Sequence, residues 1–264
     1  MVDIHIGVGW AMAVLLLSLR LGPVFALAPP FSQIAVPLRV RACLVLALCA
    51  CLAQPVSPLI HQQGGVLLLA AGSELLIGLM MAFGFQVAAA SLSFAGRALD
   101  VQAGYGLAMV IDPGSKSQTP LFGMMLVLVA SLVFFATNGH LELLRMMAHM
   151  MRLLPLGQAV LLASPQAFLD YFGIAMGMGV SAVAAVMLVL FLVDLTIAFL
   201  SRTLPQMNAL MLGLQVKVIV TLVMLAISAG VILPVAMRVF NVALGFMPAL
   251  ASAAPAGEGG HVRQ

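Results

Sequence analysis

The sequence predicts an all-α, polytopic integral membrane protein with about six long apolar helices, and three observations lead there. Hydrophobic residues make up 64% of the 264 positions and charged residues only 7%. Soluble domains run near half apolar and about a quarter charged, so these few ionisable groups cannot cover a water-soluble body of this size. Apolar runs recur at lengths close to the roughly 20 residues that a helix needs to cross a bilayer. The breaks between those runs are where Pro, Gly and Arg gather.

Six stretches qualify in chain order: residues 7–28, 42–59, 66–94, 121–137, 172–200 and 218–235. No Lys or Arg precedes Arg20, and a cleavable signal peptide wants a basic segment ahead of its apolar core. The first stretch is therefore expected to stay as a membrane helix. The third and fifth are long enough to tilt or to project beyond the bilayer. The fourth is short and opens just after Pro120. Residues 153–171 form a hydrophobic connector broken by Pro155, Gly157 and Pro165, too irregular for a spanning helix. Residues 1–250 read as one helical domain. The tail 251–264 is small, Gly-rich and polar, a composition expected to be disordered.

The three cysteines, Cys43, Cys49 and Cys51, fall within one apolar stretch. They offer neither a dispersed disulfide framework nor zinc-ligand spacing, and are read as small buried hydrophobes. The net charge of +3 comes from residues spread along the chain, which excludes a nucleic-acid stripe or a polybasic lipid anchor. Orientation is not set by charge. Arg39, Arg41, Arg97, Lys116 and Arg202 fall on one side, and Arg145, Arg152, Arg238 and Arg263 on the other, which is no positive-inside bias.

Ionisable groups inside apolar stretches are costly and have reasons for being there. Glu74 sits in a seam of small residues, with Ala70, Gly78 and Ala82 at four-residue spacing. Small residues let helices approach, and a polar group then finds a partner across the interface. A structural hydrogen bond between helices is the first reading for Glu74; a proton relay and a subunit contact are the others. Asp194 and Arg202 lie two turns apart, too far to touch each other, so each is expected to pair with another helix or reach the interface. Arg20 has the same choice, because long side chains snorkel. Gly173 and Gly177 read as a packing seam. The 19 methionines cluster, as at Met124–Met125, Met146–Met147 and Met150–Met151. They are read chiefly as ordinary core or lipid-facing filling.

No catalytic, metal or cofactor-binding residue is predicted. Gly114-Ser115-Lys116-Ser117 lacks the spacing of a phosphate loop and no strand precedes it. Ser181 lacks the basic partner that a serine nucleophile needs. His140 and His149 do not form the H-E-x-x-H pattern of a metalloprotease.

The most informative stretch runs from Arg97 to His140. Asp112-Pro113-Gly114 is turn chemistry, and Pro120 can start the next helix. A loop with two Pro and several Gly between membrane helices must face water or an aqueous lumen. The surrounding signs are spread over about residues 15–235. They are Arg20 followed by Ala28-Pro29-Pro30-Phe31 and Val36-Pro37-Leu38-Arg39-Val40-Arg41, and then Glu74-Leu75-Leu76-Ile77-Gly78. Later come the Asp112-Pro113 loop, Asn138-Gly139-His140-Leu141, Leu154-Pro155-Leu156-Gly157, and Arg202 with Pro205-Gln206-Met207-Asn208.

In this order the chain resembles the export-gate family that flagellar FliR shares with the T subunits of virulence type III export apparatuses. The resemblance implies helices arranged as hairpins within a hetero-oligomeric pore complex of the bacterial inner membrane, at the flagellar basal body. The implied partners are FliP-like and FliQ-like subunits, an FlhB-like switch protein, membrane lipid and the unfolded rod, hook and filament proteins that pass through. It implies no cofactor and no nucleic acid. The loop matching residues 106–120 resembles the segment that plugs the closed pore. That assigns Gly106, Ile111, Asp112, Pro113, Gly114, Lys116, Gln118 and Pro120 to the plug.

The Asp-Pro-Gly-Ser and Asn-Gly-His-Leu patterns point to the flagellar branch, with the injectisome branch as the alternative. A secondary transporter using Glu74 and Asp194 as coupling carboxylates is a more distant reading. It would require internal repeats around a midplane site, and the two halves show none.

Overall fold

The computed structural model describes residues 2–33, 36–53, 64–105, 120–157, 165–203 and 209–252. Its elements are α1 (Val2–Leu27), the short α2 (Pro29–Ser32), α3 (Leu38–Leu52), α4 (Gly64–Gln102), α5 (Leu121–Ala136), α6 (Gly139–Leu153), α7 (Pro165–Thr203) and α8 (Ala209–Ser252). Among the described residues no strand occurs, so the all-α expectation holds.

Among the described residues the expected six spans reduce to four, or five if α5 and α6 together make one broken crossing. The four are Val8–Leu27, Leu67–Gln102, Gln166–Thr203 and Met211–Phe246. The second sequence stretch fails because α3 has only 15 residues. At 1.5 Å per residue that is about 22 Å, short of the roughly 30 Å hydrocarbon core. The last two spans outgrow their sequence boundaries. Residues 165–171, expected to be irregular, are the first turns of α7, because a proline at the start of a helix loses no backbone bond it would otherwise make. Helix α8 passes through Pro234 without ending and continues to Ser252.

The chain divides into two compact units. The first gathers Met1–Gln86, Asn138–Phe172 and Ala243–Gln264. Its core holds Leu16, Leu17 and Leu21 of α1, Met81 and Phe85 of α4, and Leu143 and Met150 of α6. Tyr171 stacks on Phe246 with ring centroids 4.3 Å apart. Its hydroxyl donates to the Gly84 carbonyl at 2.5 Å, which gives a polar tip its partner inside an apolar core.

The second unit gathers Val87–Thr137 and Gly173–Val242. Leu92 and Leu99 of α4, Phe122 and Phe134 of α5, Val183 and Leu190 of α7, and Phe240 of α8 are buried there. Helices α4 and α5 meet at two glycines. A Cβ on Gly96 would overlap the backbone of Gly123, so only glycine permits that approach. Elsewhere α7 and α8 keep broad apolar faces exposed, including Leu188, Phe191 and Phe199 on one and Ile219, Ile227 and Val231 on the other. Lipid or further apolar protein must cover such faces.

Two expectations about small and soft residues need correction. Only Cys49 is buried, while Cys43 and Cys51 are exposed, because one side of α3 packs and the other does not. Gly173 and Gly177 meet nothing within 4 Å where a Cβ would stand, so among the described residues they are not a packing seam. The methionines divide: Met81, Met147 and Met150 fill core, and Met124, Met125 and Met211 are exposed.

Candidate functional site

The polar centre of the first unit is built on Arg20 of α1 and Glu74 of α4, which are 2% and 0% exposed. Arg20 Nε donates to Glu74 Oε2 at 2.5 Å, and Nη2 donates to Oε1 at 3.0 Å. This is the two-pronged arrangement that matches a guanidinium to a carboxylate. The third guanidinium nitrogen, Nη1, donates to the Leu154 carbonyl at 3.0 Å. The Gly157 backbone N–H donates to Glu74 Oε1 at 3.0 Å. Two charges from two helices thus hold both ends of the Leu154–Gly157 turn.

Sequence places each part of this network for a local reason. Gly78 stands one turn after Glu74, and a Cβ there would overlap the Arg20 carbonyl. The small seam of Ala70, Gly78 and Ala82 is buried as expected, and it lets α1 come close enough for the ion pair to form. Gly157 has φ of 83°, a left-handed conformation that glycine adopts without steric penalty. Pro155 precedes it in an exposed position, where a missing N–H costs nothing.

Burying two charges is expensive unless geometry and extra hydrogen bonds compensate. Here each charge has its partner and a further backbone bond. Arg20 therefore does not snorkel to an interface; it is the buried partner of Glu74, and the reading of Glu74 as a hydrogen-bonding group between helices fits this geometry.

In the second unit Asp194 of α7 pairs with Lys217 of α8. The partner is on another helix, one of the two outcomes that the spacing left open. The Asp194 side chain stays 42% exposed, against the full enclosure of Glu74. Arg202 is exposed in the last turn of α7, where a cation complements the helix dipole.

Pro37 and Arg39 are exposed at the start of α3. The Pro37 carbonyl accepts from the Val40 and Arg41 N–H groups. Arg41 donates to the carbonyls of Ala26 and Phe31, each at 3.3 Å. Asn138 takes the left-handed conformation, with φ of 60°, and this breaks the chain between α5 and α6. Gly139 beside it is buried, and His140 is half-buried.

Of the residues matched to the plug, Pro120 caps α5. Gly106, Ile111, Asp112, Pro113, Gly114, Lys116 and Gln118 lie outside the described residues, as do Pro205, Gln206 and Asn208.

One structural role was missed by sequence reasoning. Asp100, near the end of α4, accepts the Phe122 N–H at 3.1 Å through Oδ1. It thereby caps the N-terminus of α5 from a different helix. Tyr105 meets Phe122 edge-on, with centroids 5.4 Å apart. The chain leaving α4 and the chain entering α5 are thus tied to each other on either side of residues 106–119. No local pattern around Asp100 announces this role, because its partner lies beyond a long loop and only the fold brings the two together.

Among the described residues no group of three or more His, Cys, Asp or Glu side chains is placed to hold a metal ion.

Comparison with known proteins bears directly on this arrangement. Residues 11–243 match the family model described as bacterial export proteins, family 1, a span that includes Arg20, Glu74, Asp100, Gly157 and the Asp194–Lys217 pair. The chain is 31% identical over 188 residues to the flagellar biosynthetic protein FliR of Bacillus subtilis, covering 68% of this chain and 71% of the relative. It is 26% identical over 226 residues to FliR of Escherichia coli, covering 84% and 86%. It is 27% identical over 173 residues to the Yop proteins translocation protein T of Yersinia pestis, covering 64% and 66%. With the family model matched across both units and through the buried Arg20–Glu74 pair, the chain belongs to the bacterial export proteins of family 1.

Proposed function

We propose that this protein is a structural subunit of a flagellar-type export gate in the bacterial inner membrane, where it helps form the pore for unfolded flagellar proteins. The observation that carries this reading is the family match over residues 11–243. The Escherichia coli relative, named for flagellar biosynthesis, is matched over 86% of its own length. The exposed apolar faces of α7 and α8 support a place among lipid and neighbouring apolar subunits. FliP-like and FliQ-like subunits and an FlhB-like switch protein are the partners the reading calls for. The chain has no catalytic role in it.

Residues 106–120 act as the plug of the closed pore in this reading. Asp100 and the Tyr105–Phe122 contact support it, since they fix both ends of the segment. A plug must be short-tethered to close reproducibly, because chain freedom grows with loop length.

The test is to remove residues 106–119 in the assembled complex. Intact assembly with a raised ion or small-molecule leak is expected; a trimmed complex as tight as wild type rules the plug out. Pull-down of the tagged chain from its native operon tests the partners, and absence of FliP-like and FliQ-like proteins would overturn the gate reading. Restoration of motility in a flagellar deletion strain, without restoration of secretion in an injectisome deletion strain, separates the flagellar from the virulence branch.

A further inference from the structure

Helices α7 and α8 carry few charges, and two of these meet well away from the helix ends. Asp194 and Lys217 pair about 14 Å before α7 ends at Thr203 and about 12 Å after α8 begins at Ala209. The Lys217 side chain is 19% exposed and that of Asp194 is 42% exposed. Among the described residues Lys217 is the one partner of Asp194, through Oδ1. A carboxylate and an ammonium can each take several hydrogen bonds, so a single contact leaves much of their capacity open. Nearby hydroxyls do not fill it. Thr196 donates to the Leu192 carbonyl and Thr221 to the Lys217 carbonyl, each within its own helix.

The surface around the pair is apolar. Phe191 and Ala198 stand one turn to either side of Asp194 and are exposed. Leu195 is exposed beside them, as are Ile219 and Leu222 on α8. Acyl chains would cover these residues but offer nothing to a half-exposed carboxylate, which is why charges at membrane depth turn to protein or water. Water would satisfy the carboxylate but leave the phenyl and leucine side chains in contact with it, which the hydrophobic effect opposes. A helix of another protein meets both demands. Its apolar side chains can pack on the flanks, one polar group can bond across, and a small residue such as Ala198 permits the close approach. Charge narrows the choice further. Asp194 already has its cation and the pair is net neutral, so an uncharged donor completes it and a further charge would stand in excess.

We propose that the Asp194–Lys217 face of α7 and α8 docks an apolar helix of a neighbouring membrane subunit, which sets a hydroxyl or amide donor on Asp194 Oδ2. This rests on the reading of the chain as one subunit of a gate. It adds the place where a neighbour docks and the chemistry which that neighbour carries.

The test uses the full chain, tagged and purified in mild detergent with the subunits that accompany it. A photocrosslinking amino acid in place of Phe191 or Ala198 is irradiated in intact membranes, and the adduct is identified by mass spectrometry. Capture of a different membrane subunit, through a helix with a hydroxyl or amide side chain, is expected at both positions. Capture of lipid, of a second copy of this chain or of its own residues 106–119 would overturn the proposal. Two variants then separate hydrogen bonding from charge. Asp194→Leu with Lys217→Leu makes the face wholly apolar and should lower the amount of that subunit retained about tenfold, the scale of one interhelical hydrogen bond in a membrane. Asp194→Asn with Lys217→Gln removes both charges but keeps an acceptor, and should retain the subunit nearly as wild type does. Thermal unfolding of both variants should begin no earlier than in wild type, because apolar or neutral replacement of an ion pair is often without cost. Full retention in the leucine variant, or equal loss in the two variants, would overturn the proposal. Copurified subunits with no capture at either position would overturn it too and leave the gate reading standing. A preparation that holds no other subunit would overturn the gate reading and the proposal with it.

Discussion

Arg20 Nε and Glu74 Oε2 lie 2.5 Å apart across 54 positions of sequence, with both side chains enclosed by the first unit. The pair is the fixed point from which α1, α4 and the Leu154–Gly157 turn take their mutual placement. An ion pair this enclosed is costly to break from one side, because the remaining charge has no solvent to turn to.

Removing one partner should therefore be worse than removing both. Glu74→Gln keeps the shape but strands the Arg20 charge, and is expected to destabilise by about 3–5 kcal/mol. Arg20→Met should do the same to Glu74. The double variant Arg20→Met with Glu74→Leu should recover much of that loss, since apolar replacement of a buried pair is often neutral. Thermal unfolding in detergent measures all three. Wild-type stability in Glu74→Gln would show that the pair does not hold the unit together.

Glycine substitutions divide by what a Cβ would meet. Gly78→Ala drives a methyl into the Arg20 carbonyl and should cost about 1–3 kcal/mol, the scale for forcing volume into a packed site. Gly173→Ala meets open space and should be neutral or stabilising by a fraction of about 1 kcal/mol, because alanine is the better helix former. Equal effects at the two positions would contradict the α1–α4 contact.

Asp100→Ala removes the cap on α5 and should cost about 1 kcal/mol, as helix caps do. If residues 106–120 plug the pore, the same change loosens their anchorage, and the closed complex should leak more than wild type. Asp100→Asn keeps an acceptor oxygen for the Phe122 N–H and should leak less than Asp100→Ala. Conductance of reconstituted complexes reads both.

The cysteines should differ in reactivity. Burial pushes the Cys49 thiol up to about 11, while Cys43 and Cys51 are exposed. Thiolate is the reacting form. In detergent, a chain retaining only Cys49 should therefore resist maleimide near neutral pH and label only as the pH climbs toward its raised value. Cys43-only and Cys51-only chains should label readily under the same conditions. Equal rates for all three near neutral pH would mean that the Cys49 side of α3 is not packed as described.

Much of this molecule follows from residue order. Composition dictates the membrane class, since a 7% charged chain has no other solvent. The seam around Glu74 is legible because small residues recur at the helical repeat and a lone carboxylate among them demands a partner. The start of α5 just after Pro120 follows from proline, which ends whatever precedes it. That Asp194 does not pair with Arg202 was legible because the two lie two turns apart, which left another helix or the interface as its destination.

Identity of partners was not legible. Arg20 and Leu154 are separated by 134 positions, and nothing local in either announces the other. The same holds for Asp100 and Phe122, where a side chain on one helix caps the next. Span count also misled, because apolar runs show where a helix is tolerated and not where its backbone bonds stop: α3 ends at Leu52, and α8 runs on through Pro234. By itself, then, the sequence determined the solvent, the helical period and the places where charge had to be neutralised, all of which are local or additive properties. Only tertiary structure decided which charge meets which, which glycine is a contact and which is open, and which apolar run crosses. Those depend on distances between segments remote in the chain, and close packing sets them collectively.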